Sequence, residues 1–255
     1  MKQTTKILTL SAAVALAMAT MGAGLAQAQE TAAAAPEAKP DHEISFNAAL
    51  TSDYRYRGIS QTRLKPALQG GADYVNNPTG LYVGTWASTI KWIDDAGGDA
   101  KVEWDIYFGK RGEIVPDVSY DVGFLAYIYP DHGLTPAPTT KELYAQVGYG
   151  PFALKYSHSI SNLFGFADSK NSGYVDAMFN YEIKDGYIFN AHVGHQKVKH
   201  NSAVSYTDWK LGVTKDFGIA TVSLAYVDTN TDAYVGPYGK DLGKKSAVLM
   251  ISKTF

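Results

Sequence analysis

The side chains in this sequence that could do chemistry are charges at alternate positions of stretches where apolar and polar residues alternate. Alternate residues of a β-strand point to one face, so this spacing collects charges on one side of a sheet. Carboxylates and guanidinium groups on such a face can pair, and an excess of acids attracts cations. The candidate positions are Asp53, Arg55, Arg57, Glu103, Asp105, Asp121, Lys155, Asp176, Glu182, Asp208 and Lys210.

The charged face carries more acids than bases. Counting Asp73, Asp117, Glu142 and Asp216 as well gives eleven acids against the bases Arg55, Arg57, Lys155 and Lys210, with Lys91 as a conditional fifth base. If the strands that carry them close into a narrow barrel, some of these charges must pair across it. Two interpretations therefore stay open, a cation-preferring passage and a purely structural ion-pair network.

Catalytic and metal-binding arrangements find little support. A lipid-cleaving barrel would need a His and a Ser on one face, whereas His158 and Ser159 are adjacent and so face opposite sides. His192 and His195, three apart, also face opposite sides. The acidic, glycine-rich residues 94–99 could hold a hard cation but lack the EF-hand pattern, which favours a solvated loop. We therefore expect no enzyme, no metal site and no cofactor.

About twelve alternating stretches lie between Ile44 and Phe255, and the connections between them are alternately long and short. The long connections cover residues 58–66, 93–101, 130–141, 161–172, 198–205 and 228–245. The short ones cover residues 76–80, 110–116, 150–151, 184–186 and 216–218. Outer-membrane barrels have short periplasmic turns, longer outer loops and an even strand number. The pattern predicts an all-β fold, a transmembrane antiparallel up-and-down β-barrel of about 12 strands over residues 44–255.

The opposite face of these stretches is apolar, as contact with lipid requires. In the first stretch we expect Ile44, Phe46, Ala48, Leu50, Ser52, Tyr54 and Tyr56 to face outward. The third stretch, residues 81–92, is apolar on both faces. There we favour an outward phase for Tyr82, Trp86, Ile90 and Trp92, which places Lys91 inward.

Side chains near the short turns suit a membrane interface. Lys215 and Lys253 fall on outward phases but close to the periplasmic ends, where their stems can snorkel. Aromatic residues flank the short turns and predict an interfacial girdle of Tyr74, Tyr82, Tyr149, Phe152, Tyr181, Tyr187 and Phe217.

The two ends of the chain indicate export and membrane assembly. Residues 1–28 resemble a cleavable signal peptide, with Lys2 and Lys6 before an apolar stretch and an A-x-A site at residues 26–28. Residues 29–43 are rich in Ala and Pro and predict a short disordered periplasmic segment. Phe255, with apolar residues at alternate positions before it, resembles the C-terminal signal that the barrel assembly machinery recognises.

Several motifs resemble the TorF family of proposed porins. They are LTSDYRYRGISQT at residues 50–62, PALQGGADY at 66–74, GLYVGTWAS at 80–88, VSYDVG at 118–123 and the closing ISKTF at 251–255. The resemblance covers nearly all of residues 29–255 and implies an outer-membrane location and a pore role. It implies no catalytic or ligand residues.

These observations predict a porin or channel for passive passage of small solutes or ions across the bacterial outer membrane, narrow and mildly cation-preferring. The alternative is a non-conducting structural or adhesive barrel, and an outer-membrane hydrolase is the least favoured. The expected partners are outer-membrane lipid, lipopolysaccharide, the barrel assembly machinery and small solutes or ions. A net charge of −2 gives no reason to expect nucleic acid. The solute, the oligomeric state and the state of the pore are left open.

Overall fold

A computed structural model describes residues 40–255. The predicted signal peptide and most of the predicted periplasmic segment lie outside these residues. Twelve strands form one closed barrel, β1 (His42–Thr51), β4 (Ala67–Asn76), β5 (Leu81–Thr89), β6 (Val102–Val115), β7 (Val118–Ile128), β8 (Thr140–Tyr149), β9 (Phe152–Ser159), β10 (Gly173–Lys184), β11 (Tyr187–Lys197), β12 (Tyr206–Asp216), β13 (Thr221–Thr229) and β16 (Ser246–Thr254).

Smaller elements occupy the long connections. Two hairpins pair β2 (Arg55–Tyr56) with β3 (Ile59–Ser60) and β14 (Val235–Gly236) with β15 (Lys240–Asp241). The helical turns are α1 (Trp92–Asp95) and two 3₁₀ turns, Ser202–Val204 and Pro237–Gly239. Within residues 40–255, no helix has the length and apolar character needed to span a bilayer.

Each barrel strand pairs antiparallel with the next barrel strand in the chain, and β1 closes the barrel against β16. The main chains of Phe46 and Phe255 exchange hydrogen bonds of 3.0 and 2.8 Å at this seam. The predicted up-and-down topology and the alternation of long and short connections are confirmed. Strand β6 extends to Val115, however, so the connection predicted over residues 110–116 is only Pro116 and Asp117. Similarly, β1 begins at His42, inside the segment predicted to be disordered.

The predicted segregation of faces holds for most strands. In β1, Ile44, Phe46 and Leu50 are exposed on the outside, whereas Ala49 and Thr51 are buried inside. Charge is excluded from the middle of the outer face because a Lys or Arg at the bilayer midplane costs about 2–4 kcal/mol. The amino groups of Lys215 and Lys253 donate hydrogen bonds to main-chain carbonyls of turns at the periplasmic end, as expected if their stems snorkel. The predicted girdle residues that are exposed there are Tyr74, Tyr149, Phe152, Tyr181, Tyr187 and Phe217.

The outward phase predicted for the third stretch is wrong. In β5, Leu81 is 51% exposed on the outside, whereas Trp86 is 3% exposed and lies inside with Tyr82. Both faces of this strand are apolar, so charge could not distinguish them. The ring of Tyr54, 5.4 Å from that of Trp86, gives the indole an aromatic partner inside the barrel. Ile90 and Trp92 follow the strand into the outer connection.

Candidate functional site

The outer half of the barrel interior is filled by residues 52–66, which we call the plug segment. The first barrel strand ends at Thr51, and the chain then turns inward and forms the β2–β3 hairpin. Tyr54 and Tyr56 therefore lie inside the barrel, and the prediction that they face lipid is wrong. Their alternation with Asp53, Arg55 and Arg57 fits a wall strand equally well, which is why the sequence did not reveal the turn.

The plug segment is held in shape by a buried ion pair. Asp53 accepts a 2.5 Å hydrogen bond from Nε of Arg55 and a 2.6 Å bond from the hydroxyl of Ser60. Nη1 of Arg55 donates to the carbonyls of Gly58, Leu242 and Lys244 at 2.8–3.1 Å. Because Leu242 and Lys244 precede β16, this guanidinium ties the plug segment to the last outer connection.

Three side chains of the plug segment bind the barrel wall directly. The Tyr54 hydroxyl donates to Glu103 at 2.6 Å, and Glu103 also accepts a 2.9 Å bond from Tyr129. The Tyr56 hydroxyl donates to that of Tyr127 at 2.8 Å. The third contact is a two-bond ion pair between Arg57 and a wall carboxylate, Glu142. A cluster of aromatic rings packs around these contacts, formed by Tyr54, Tyr56, Trp86, Trp92, Tyr127, Tyr129 and Phe164.

Asp105 is the least satisfied charge behind the plug segment. It is 0% exposed, and neither carboxylate oxygen has a hydrogen-bond partner among the described residues. Glu103 lies two residues away on the same face of β6. A buried carboxylate without a partner is costly in its ionised form, so the charge of Asp105 would be stabilised by a cation that reached it.

A second cluster lies on the opposite wall. Nδ1 of His192 is 3.0 Å from Asp176, and Nε2 of the same ring is 3.4 Å from Asp208. Asp208 also accepts a 2.9 Å hydrogen bond from Tyr174. Lys210 is buried on the same face of β12 as Asp208. Both signs of charge therefore line this wall.

The periplasmic half of the interior is polar and partly exposed. Asp121 accepts a 2.5 Å hydrogen bond from Tyr82, and Asp73 a 2.6 Å bond from Tyr107. Nζ of Lys155 lies 4.2 Å from the ring centre of Tyr144. Small polar side chains continue the lining towards the periplasmic end, among them Asn180, Asn190, Thr214 and Ser223.

The structure separates the predicted charged positions into three groups. Asp53, Arg55 and Arg57 lie on the plug segment rather than on a wall strand. The wall carries Asp73, Glu103, Asp105, Asp121, Glu142, Lys155, Asp176, Asp208 and Lys210 on inward phases. The periplasmic rim carries Asp117, Glu182 and Asp216, the first two exposed. Glu182 accepts a hydrogen bond from the Gly186 main chain there, and Lys91 lies in an outer connection.

Arg111 and His192 are further inward charges that were missed in the sequence. Arg111 continues the inward phase of Glu103 and Asp105, and its guanidinium lies 5.2 Å from the ring centre of Tyr82. It was missed because the strand was ended too early. His192, discounted as an isolated histidine, bridges two acids. Its inward phase next to Asp176 in the β10–β11 pair was the available signal.

The histidine, serine and aspartate residues considered for other chemistry are engaged elsewhere. The ring of His158 lies 3.2 Å from the Tyr156 hydroxyl and from Asn171, whereas Ser159 donates to the Ser161 carbonyl. His158 and Ser159 thus face different surroundings, as predicted.

In the acidic outer connection, Lys101 donates a hydrogen bond to Asp94 and holds the pKa of that carboxyl below its usual range. The neighbouring Asp95 pairs with Arg63. No group of three or more His, Asp or Glu side chains among residues 40–255 is placed to hold a metal ion.

A closed barrel with an apolar exterior and a charged interior defines the class, a transmembrane β-barrel of the outer-membrane type. Residues 9–255 match the model of a family described as a bacterial protein of unknown function (Gcw_chp), so the chain belongs to that family. No curated protein matches it.

Several solved structures are similar to this chain at low sequence identity. The NanC porin aligns with a TM-score of 0.51 and 10% identity, over 83% of this chain and 98% of NanC. A membrane protein from work on in-meso crystallization gives 0.50 and 8%, over 83% of each chain. OprD of Pseudomonas aeruginosa gives 0.39 and 13%, over 83% of this chain and 66% of OprD. At these identities the likeness to the first two is one of fold.

Proposed function

We propose that this protein is an outer-membrane channel for small solutes or ions, with an outer mouth that the plug segment closes. The charged interior carries the proposal. In a sealed barrel, well-packed apolar side chains are often as stabilising as buried ion pairs, so stability alone gives no reason to keep so many charges inside. A polar passage does need them. The resemblance to the TorF family of proposed porins supports the same function.

Because the plug segment fills the outer half of the barrel, we interpret this structure as the closed state of the proposed channel. Twelve strands fall between eight-stranded barrels filled by side chains and porins of sixteen or more strands with open channels. Here the outer half is filled by one loop, while the periplasmic half keeps partly exposed polar side chains. Passage therefore requires displacement of residues 52–66 rather than movement of the wall.

The open passage should prefer cations mildly. The wall carries the acids Glu103, Asp105, Asp121 and Asp176 on inward phases, and neither carboxylate oxygen of Asp105 has a hydrogen-bond partner among the described residues. Lys155, Lys210 and Arg111 oppose them, which limits the excess. Charge of this kind acts on a permeating ion by attraction and repulsion at short range.

Replacement of the plug segment tests the channel function. Thr51 pairs with Ala67 in register, so an Asn-Gly turn can replace residues 52–66 and join β1 directly to β4. In planar bilayers the shortened protein should conduct steadily, whereas the unaltered protein should be closed or open only briefly. Folding is checked by heat-modifiable migration on gels. A folded, shortened barrel that stays electrically silent would overturn the channel function.

A matched pair of point variants tests whether the buried arginine of the plug segment, rather than any arginine in that segment, keeps the proposed channel closed. Arg57 and Arg63 both belong to the plug segment and both have a positive φ, of 44° and 57°. The Arg57 side chain is 8% exposed inside the barrel, whereas that of Arg63 is 34% exposed and pairs with an outer acid. Arg57→Ala should raise the open fraction, and Arg63→Ala should leave it unchanged.

One observation favours a second function, a non-conducting structural barrel. The aromatic cluster around Tyr54 and Tyr56 resembles a packed core more than a mobile gate. On this alternative the outer loops would contact lipopolysaccharide or another partner, and the silent outcome above is its expected result.

Location and assembly complete the proposal. We infer export by the signal peptide of residues 1–28 and insertion by the barrel assembly machinery through Phe255. The side chain of Phe255 is 72% exposed at the lipid-facing end of the chain, which supports that role. Outer-membrane lipid and lipopolysaccharide would surround the apolar exterior.

A further inference from the structure

The tip of the β2–β3 hairpin in the plug segment places the guanidinium of Arg57 among polar and aromatic side chains that contact it on several sides. Nη1 and Nη2 of Arg57 donate to the two oxygens of Glu142 at 3.0 and 2.7 Å, and Nη1 also donates to Oε1 of Gln196 at 2.7 Å. The guanidinium carbon lies 4.3 Å from the ring centre of Tyr174 and 4.8 Å from that of Tyr56. Carboxylate, amide and aromatic faces together are the groups that recognise a guanidinium or an ammonium.

Most of this surrounding belongs to the wall and does not depend on Arg57. Nε2 of Gln196 donates to the main-chain carbonyls of Gly173 and Lys197, which turns its oxygen inward. The Tyr174 hydroxyl is held by Asp208, and Tyr127 donates to Glu142 at 3.3 Å. Four wall strands therefore keep the pocket formed by Glu142, Gln196, Tyr127 and Tyr174 in shape.

The backbone at the tip shows that the side chain of Arg57 matters there. Arg57 and Gly58 form the two-residue turn of the β2–β3 hairpin, both with positive φ, at 44° and 80°. Such turns favour Asn, Asp or Gly at the first position, and a long side chain is disfavoured. The hairpin nevertheless carries an Arg at its apex, where the guanidinium enters the wall pocket.

We propose that the pocket of Glu142, Gln196, Tyr127 and Tyr174 is a binding site for the guanidinium or primary ammonium group of a cationic organic solute, and that Arg57 is its tethered occupant. When the plug segment leaves, Glu142 loses its counter-ion in a buried position and takes up a cation of the same shape. The solute class rests on the proposed channel function, whereas the binding itself does not.

Chemical rescue in detergent micelles tests the site. Arg57→Ala empties the pocket, and methylguanidinium at millimolar concentration is the probe. Without the probe, the melting temperature of Arg57→Ala should be below that of the unaltered protein. It should then rise with the logarithm of the methylguanidinium concentration above the dissociation constant. Neutral methylurea should cause no rise. Arg57→Gln, which keeps a polar side chain, replaces the alanine variant if the latter does not fold.

Three control proteins make the result specific. The unaltered protein, with its pocket occupied, and Arg63→Ala, which loses a surface arginine of the same segment, should not respond to methylguanidinium. The double variant Arg57→Ala with Glu142→Gln should not respond either, because the carboxylate is gone. Equal shifts in all proteins, or no shift in a folded Arg57→Ala or Arg57→Gln, would overturn the site. Saturable methylguanidinium binding by a protein that does not conduct in planar bilayers would support the binding site and contradict the channel function.

Discussion

The hydroxyl of Tyr54 donates a 2.6 Å hydrogen bond to Oε1 of Glu103, joining the plug segment to the wall at a fully buried point. Glu103 is one of the acids whose spacing predicted a charged interior. The same carboxylate that would attract a cation in an open passage therefore holds the passage closed. If the proposed channel function holds, closure and permeation share residues in this barrel, and variants of these residues should change both.

Removal of the Tyr54 hydroxyl should loosen the plug segment. Tyr54→Phe keeps the ring against Trp86 but takes one hydrogen bond from Glu103, which should lower the free energy of unfolding by about 1.5–3 kcal/mol. Urea titration of the folded protein in micelles measures this. Tyr238→Phe is the control, since Tyr238 is fully exposed in the last outer connection. Equal stability of the Tyr54 and Tyr238 variants would show that the contact is not stabilising.

Two buried acids should respond in opposite ways to amide replacement. Asp53→Asn breaks the ion pair with Arg55 and should cost about 3–5 kcal/mol, because it leaves a buried guanidinium without its partner. Asp105→Asn removes a charge whose oxygens have no partner among the described residues, and should leave stability unchanged or raise it. Denaturant titration of both variants decides this. A large loss in Asp105→Asn would reveal a partner of the carboxylate.

The topology predicts which connections are outside the cell. The chain contains no cysteine, so single cysteines can be read without background. Cysteines at Asp99 and Asp232, both exposed in long connections, should react with an impermeant maleimide on whole cells. A cysteine at Asp185, in the exposed β10–β11 turn, should react only after the outer membrane is broken. Labelling of the cysteine at Asp185 on intact cells would mean that the barrel has the opposite orientation in the membrane.

Neutral replacement of the wall acids should reduce cation preference. The acids Glu103, Asp105, Asp121 and Asp176 are changed to Gln or Asn in the protein with a shortened plug segment, and reversal potentials are measured. The loss should be largest at low salt, where screening is weak. Four exposed outer acids give a control with the same change in charge, namely Asp99, Asp131, Asp168 and Asp232. Anion preference before any replacement would contradict the assignment of charge.

Deletion of Phe255 should slow insertion. This residue ends the apolar outward phase of β16, and its main chain pairs with Phe46 where the barrel closes. The shortened chain should accumulate in the periplasm and be degraded, as pulse-chase measurements of heat-modifiable protein would show. Ile219→Ala, which removes a comparably exposed apolar side chain from a periplasmic turn, should insert normally. Normal insertion of the deletion variant would show that Phe255 is not needed for assembly.

The sequence by itself determined the barrel, its loop pattern and most of its faces. These follow from local rules, since a period of two selects strands and lipid excludes charge from one face. At β6 and β12, Glu103, Asp105, Asp208 and Lys210 alternate with apolar residues and are buried inside the barrel.

Only the tertiary structure decided the path after Thr51 and the phase of β5. Alternation continues through Tyr54, Arg55, Tyr56 and Arg57 whether the chain climbs the wall or turns inward, because a hairpin strand has the same period as a barrel strand. What turns it inward is distant in sequence. Leu242, Glu103 and Glu142 satisfy buried polar groups that a lipid-facing strand could not carry, and the plug segment in turn gives Trp86 an aromatic neighbour inside.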